Sequence, residues 1–195
     1  MVYIKMYNSP EIDKKEVLRY AGVGAADEGT SDLIDRLIDE TRDVLSYKVC
    51  YTRYPISFDG DQIDLGFTVT KSHSLAVCLK ECDEIILFCA TVGVEFDRHI
   101  KKYSLVSPSS AVILQALGSE RVEALCDAFC ADMAEETNRC LRPRFSPGYG
   151  DLALEIQREI FDCLTPAKIG VSLSDNLFMT PSKTVTAIIG IKKEF

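Results

Sequence analysis

Hydrophobic positions along the chain recur with a helical period, change to strand-like alternation, and change back several times. From Ser9–Pro10 to Tyr20 the apolar set Ile12, Val17, Leu18 and Tyr20 predicts a first helix, stopped at Gly22. A second follows a cap at Thr30 or Ser31, with Leu33, Ile34, Leu37, Ile38, Val44 and Leu45 along one face and acidic and basic residues along the other. The period then drops to two. Tyr47, Val49, Tyr51 and Arg53 share a strand face as far as Pro55, Phe58–Asp61 makes a turn, and Ile63–Val69 returns, so an antiparallel hairpin is predicted. A short helix over Ser72–Lys80 precedes Glu84–Val92, an almost unbroken apolar run of the kind a strand buried on both faces shows.

Gly93 ends that strand, and a helix over Glu95–Tyr103 leads into the longest helical tract, Ser107 to about Arg139. Pro108 sits in its first turn, and Gly118 marks an expected break or kink. A loop from Leu141 to Gly150 follows. Asp151 is expected to cap a helix carrying Leu154, Ile156, Ile160, Phe161 and Leu164, Thr165-Pro166 to start one more turn, and strands over Ile169–Leu173 and Thr184–Ile191 to close the chain. Helices and antiparallel-looking strands mix without a βαβ rhythm. The expected class is therefore α+β: one domain over residues 1–195, a twisted, mainly antiparallel sheet with long helices packed on it.

Composition narrows the function. With 47% hydrophobic and 27% charged residues the 195-residue chain is of globular type and long enough to bury a core without metal or disulfide. Thirty acidic residues against 22 basic ones give a net charge of −8, which opposes nucleic-acid binding, since that requires cations to displace counterions from phosphates. No apolar run approaches the ~20 residues of a membrane span. MVYIKMYNSP lacks the basic start and apolar core of a secretory signal, and a cytoplasmic location is expected. There the eight cysteines would be reduced thiols. Cys78/Cys82 and Cys126/Cys130 have a four-residue spacing unlike the CxxC knuckle of zinc ribbons, and ordinary packing is the expected role, with no metal.

Most chemical motifs fail. Ala21-Gly22-Val23-Gly24 follows a helix rather than a strand and finds no third glycine in register, so it is a turn and not a phosphate cradle. Asp97-Arg98-His99 starts like the cobalt-ligating loop of corrinoid proteins, but Lys102 stands at the glycine position. Two histidines leave few ways to build a Ser-His or Cys-His nucleophile, and no self-contained catalytic constellation is found. The informative stretch is Arg142-Pro143-Arg144-Phe145-Ser146-Pro147-Gly148-Tyr149-Gly150-Asp151. Its prolines stiffen the backbone, its glycines permit positive φ or close approach to a ligand, and Arg144 offers a planar fork suited to a carboxylate. A helix connection capped by Asp151 and a ligand loop are both open on these residues.

Arg144-Phe145-Ser146-Pro147-Gly148-Tyr149 resembles the Arg-x-x-x-Gly-Tyr loop of the reactivation domain of cobalamin-dependent methionine synthase. The order continues through Gln157, Ile160-Phe161, Leu164-Thr165-Pro166, Ile169-Gly170-Val171, Met179-x-Pro181 and Val185-Thr186-Ala187. The resemblance implies an activation-domain fold that binds S-adenosylmethionine, whose methyl goes to cobalamin during reductive reactivation. It implies that Arg144 meets the methionine carboxylate, that Gly148 and Tyr149 shape the pocket, and that Asp127 contacts the ligand. Glu123, one turn before Asp127, reads as a solvated helix face. Cobalamin would come only through a partner, either a corrinoid protein or a cobalamin-dependent methyltransferase, with a flavodoxin-like or ferredoxin-like reductant. The chain departs from the family in having no tryptophan, where the synthase domain begins with an Asp-Trp motif, and in ending at Phe195, before the family's later ligand-contacting tyrosines. The implied role is a stand-alone reactivation module, at most an accessory to methyl transfer. The alternative is a non-catalytic scaffold of the same system that has lost the ligand.

Overall fold

The computed structural model describes residues 1–194; Phe195, the last residue of the expected domain, lies outside them. In chain order the elements are β1 (Tyr3–Tyr7), α1 (Lys14–Ala21), α2 (Glu28–Thr41), β2 (Tyr47–Pro55), β3 (Ser57–Asp59), β4 (Gln62–Asp64), β5 (Val69–Thr70), α3 (His73–Cys78), β6 (Cys82–Thr91), α4 (Val94–Val106) and α5 (Pro108–Thr137). A 3-10 turn over Leu154–Ile156 runs into α6 (Gln157–Leu164), a second 3-10 turn covers Pro166–Ile169, and β7 (Ser172–Leu173), β8 (Met179–Thr180) and β9 (Thr184–Lys192) finish the chain. The main sheet has the order β1-β2-β6-β9, every pair antiparallel. The fold is α+β, as the mixture of periods predicts.

Alternation along these strands divides the core into two layers. Val49, Tyr51, Ile86, Phe88, Ala90, Ile189 and Ile191 face the layer built by α1, α2, α4 and α5. Cys50, Ile85, Leu87, Cys89 and Ile188 face the opposite layer, closed by the small β3-β4-β5 sheet, α3 and α6. The apolar run of β6 is explained by this double cover: Ile85 through Ala90 are all 0% exposed. No helix among the described residues is long and apolar enough to cross a membrane.

Several boundaries differ from the expected ones, each for a physical reason. The first helix starts at Lys14, not Ser9–Pro10, because the carbonyls of Pro10 and Glu11 accept hydrogen bonds from Arg121 Nη1 and Nη2, both at 2.6 Å. Asp13 caps the helix instead, accepting from Lys15 N–H at 2.8 Å. Asp27 takes the cap expected of Thr30 or Ser31, accepting from the Thr30 N–H at 2.7 Å. The predicted hairpin partner of Tyr47–Pro55 pairs elsewhere. Both edges of β2 are taken by β1 and β6, and β4 pairs with β3 across the predicted turn. Of the strand expected over Ile169–Leu173, only Ser172–Leu173 is extended. No break occurs at Gly118: α5 runs straight through it, and a Cβ there would lie 2.5 Å from Phe96 Cε1 and 2.9 Å from Lys183 Cγ. The glycine admits this close packing within an unbroken helix.

The layer of helices is fastened by a buried pair on α5. Glu120 and Arg121 side chains are 5% and 0% exposed and meet at 2.5 Å, while Glu120 Oε1 also accepts the Asp13 N–H at 3.1 Å. Together they hold the extended crossing from β1 to α1 against α5. Removing one member strands the other charge in the core, at a cost of about 3–5 kcal/mol. Arg121→Met should lose that much in urea denaturation at unchanged m-value, and Glu120→Gln/Arg121→Met should lose less than Arg121→Met alone, since no charge is left behind. Equal losses would show that the pair's charge is not what fastens the crossing.

Candidate functional site

The segment after α5 is laid along the outer edge of β9. Arg142 N–H donates to Gly190 O at 2.8 Å, and Phe145 and Ile188 exchange both backbone bonds at 2.9 Å. Leu141 is paired with Ile191 and Phe145 with Ile188. The segment therefore advances four residues while β9 advances three, and the extra residue is a bulge. Leu141 and Ile191 pack in the helix layer, whereas Phe145 and Ile188 pack in the opposite one. The change of face within the bulge leaves Arg144 on the α5 side.

There Arg144 Nη1 donates to Asp127 Oδ1 at 2.5 Å and Nη2 to Glu123 Oε2 at 2.8 Å. Nη1 also lies 3.7 Å from Cys130 Sγ. Glu123, Asp127 and Cys130 share a helix face by their spacings of four and three. Burial would lower the Arg144 pKa, but the bonds to Asp127 and Cys130 outweigh it and the net direction is upward, so the guanidinium is permanently charged. Glu123, expected to be merely solvated, is a direct partner of Arg144. The signal was available in its four-residue spacing from Asp127, but only tertiary structure says which arginine meets the two.

The ion pair stands between two cavities. Arg144 lines a groove of about 660 Å³ with Cys130, Ala131, Ala134 and Arg142. Glu123 and Asp127 line a cavity of about 420 Å³ whose far wall includes Pro10, Glu11 and Asp13. Gly148 and Tyr149 are walls of neither. Gly148 has φ +84°, which a glycine tolerates, and Tyr149 is 67% exposed. Thus Arg144 and Asp127 are brought into contact, while Gly148 and Tyr149 lie further along the loop surface. All eight thiols are free, and among the described residues no three His, Cys, Asp or Glu side chains converge as metal ligands.

Asp151 does not cap the helix that follows it. Its carboxylate crosses to the start of α3, accepting from Ser72 Oγ at 2.6 Å, His73 N–H at 2.7 Å and Ser74 N–H at 3.0 Å. Gly150 makes this approach feasible, since a Cβ there would lie 2.6 Å from Ser74 Oγ. The loop is thereby held at both ends, by β9 at Phe145 and by α3 at Asp151.

The Ser72 hydroxyl and the Ser74 and His73 amides hold the Asp151 carboxyl well below the usual carboxylate range. Its stabilisation is therefore full above the unfolded pKa of ~3.9 and is lost as pH falls through the lower folded value. Asp151→Asn should melt at a lower temperature than the wild type at neutral pH, and the gap should close on acidification below about pH 4. Thermal melts across that range check this; a gap that does not change with pH would contradict the charged clamp.

No family model matches the chain, and no curated protein does. Among solved structures, the crystal structure of the MetH reactivation domain bound to AdoHcy matches with a TM-score of 0.70 at 16% identity, covering 100% of this chain and 80% of that one. The chain therefore has the fold of the MetH reactivation domain.

Proposed function

We propose that this chain is a reactivation module that binds S-adenosylmethionine at Arg144 and assists the reductive methylation of a corrinoid protein or cobalamin-dependent methyltransferase. The observation that carries the reading is the Arg144–Asp127–Glu123 cluster. An amino-acid head group is a zwitterion, and a guanidinium flanked by two carboxylates is its charge complement. The ligand carboxylate can take the guanidinium face held by Asp127, whose side chain is 73% exposed, while the released Asp127 turns to the ligand ammonium. The exchange conserves charge and leaves no buried ion unpaired, because Glu123 stays on Arg144. Gly148 and Tyr149, held in place by the Phe145 and Asp151 anchorages, extend the site along the loop towards the nucleoside end. When bound, S-adenosylmethionine supplies the methyl group and the partner's corrinoid supplies the cobalt that receives it, with a flavodoxin-like or ferredoxin-like protein as reductant. The proposed setting is cytoplasmic, and residues 1–195 act as one domain.

One observation favours the scaffold reading: both terminal nitrogens of Arg144 already have carboxylate partners. Calorimetry separates the two. Wild type should bind S-adenosylmethionine, and Arg144→Ala should weaken it by about 10- to 150-fold, the equivalent of a charge-assisted contact of ~1.5–3 kcal/mol. Arg144→Lys should not rescue it, because a point charge cannot reproduce the planar fork. Unchanged affinity in both variants, with melts confirming folded protein, would remove Arg144 from the site. Absence of heat from the wild type at millimolar ligand would favour the scaffold.

A further inference from the structure

A cavity of about 380 Å³ opens between α4, α5 and the residue that leads into β9. Ile100, Ala111, Val112 and Ala116 give it apolar walls, and Tyr20 of α1 closes one side. Its polar end is Lys183. The stem of this lysine lies along Gly118, where a Cβ would meet Cγ at 2.9 Å, and its ammonium donates to Ser119 Oγ at 3.0 Å. Ser119 is itself engaged, donating to Gln115 O at 3.1 Å.

An ammonium carries three donors, and among the described residues this one has a single partner, a neutral hydroxyl. Among the described residues no carboxylate lies within 4 Å of Lys183 Nζ. The contrast with Lys5 is direct: it lies at a similar sheet–helix junction and meets both Asp132 and Glu136, at 2.8 and 2.7 Å. From α4 the charge that acts on Lys183 is Asp97, which lines the adjoining cavity together with Lys101. Asp97 is already occupied, accepting from Ser182 N–H at 2.6 Å and from Ser182 Oγ at 2.9 Å. Burial pushes the Lys183 ammonium below its ordinary value, with Asp97 opposing only in part. A partly buried cation with no carboxylate bonded to it, at the end of an apolar cavity, costs free energy that an anion placed there would offset.

We propose that this cavity is a binding site for a small organic carboxylate with an apolar body. The carboxylate accepts from Lys183 Nζ and from the side-chain amide of Gln115, and the body lies on Ile100, Ala111, Val112 and Ala116. The volume falls in the range of small-molecule pockets, and apolar walls with a few polar groups at one end are what orient such a ligand. The site is independent of the one at Arg144. Apart from Tyr20 it shares no wall with the two cavities there.

The test uses 3-phenylpropionate as probe and 3-phenylpropanol as its uncharged counterpart, with binding followed by calorimetry and saturation-transfer NMR. The carboxylate should bind wild type, and Lys183→Met, which keeps the stem against Gly118, should weaken it by about tenfold or more. The alcohol should bind both proteins weakly and alike. Val112 is 53% exposed, so Val112→Glu carries little risk to folding, and it should also abolish carboxylate binding by placing a like charge on the wall. Arg144→Ala should bind the probe as wild type does, whatever its behaviour towards S-adenosylmethionine. The proposal is overturned by no binding to wild type at millimolar probe, by equal affinity in folded Lys183→Met, or by loss of binding in Arg144→Ala.

Discussion

Three residues of the loop segment are set against two of β9 between the Leu141–Ile191 and Phe145–Ile188 pairs, and the position of the candidate site follows from that mismatch. Side chains alternate strictly along a paired strand, so an added residue exchanges the two faces beyond it. Leu141 enters the helix layer and Phe145 the opposite one, each beside a β9 residue that is 0% exposed. Neither can move without losing its burial. Between these two fixed points Arg144 must face α5, where the Glu123–Asp127 face awaits it. The clamp from Asp151 to the start of α3 then holds the far end of the loop. A backbone irregularity, pinned by apolar residues on both sides of one sheet, thus sets the geometry of a charged site on the surface.

What the sequence reveals and what it hides divides along the same line. Local periodicity suffices for the doubly covered β6, for α2, α4 and α5 as helices, and for the closing strand, because burial imposes the pattern residue by residue. It fails where a distant partner decides. Ser9–Pro10 looks like a helix start, yet Arg121, more than a hundred positions away, holds those carbonyls in an extended crossing. Gly118 looks like a break, yet it is the space that Phe96 and Lys183 occupy. Asp151 looks like a local cap and serves a helix 79 residues upstream. Of the candidate site, the resemblance singles out Arg144 and Asp127 as ligand contacts, and the fold places the two against each other. Glu123 and the bulge were not legible, since neither face nor register of an edge segment can be read before its partner is known.

Two cations show opposite electrostatic situations in a chain of net charge −8. Arg144 holds two carboxylates, and any anion approaching it must displace one of them. A zwitterionic ligand can do so because it brings a cation for the carboxylate it releases. Among the described residues Lys183 bonds none, and an anion there has no bonded carboxylate to displace. The two cations meet neighbouring turns of α5, Lys183 at Ser119 and Arg144 at Glu123 and Asp127, and differ in whether a bonded counter-charge is already present.

Under the proposed function, the bulge delivers Arg144 to α5 as the receptor of a zwitterionic head group. A crystal structure of the chain with saturating S-adenosylmethionine tests it most directly. The expected result is the ligand carboxylate on the Arg144 guanidinium, Asp127 released towards the ligand ammonium, Glu123 still in place, and the Leu141–Ile191 and Phe145–Ile188 pairs unchanged. Ligand bound elsewhere, with Arg144 still holding both Asp127 and Glu123, would contradict it.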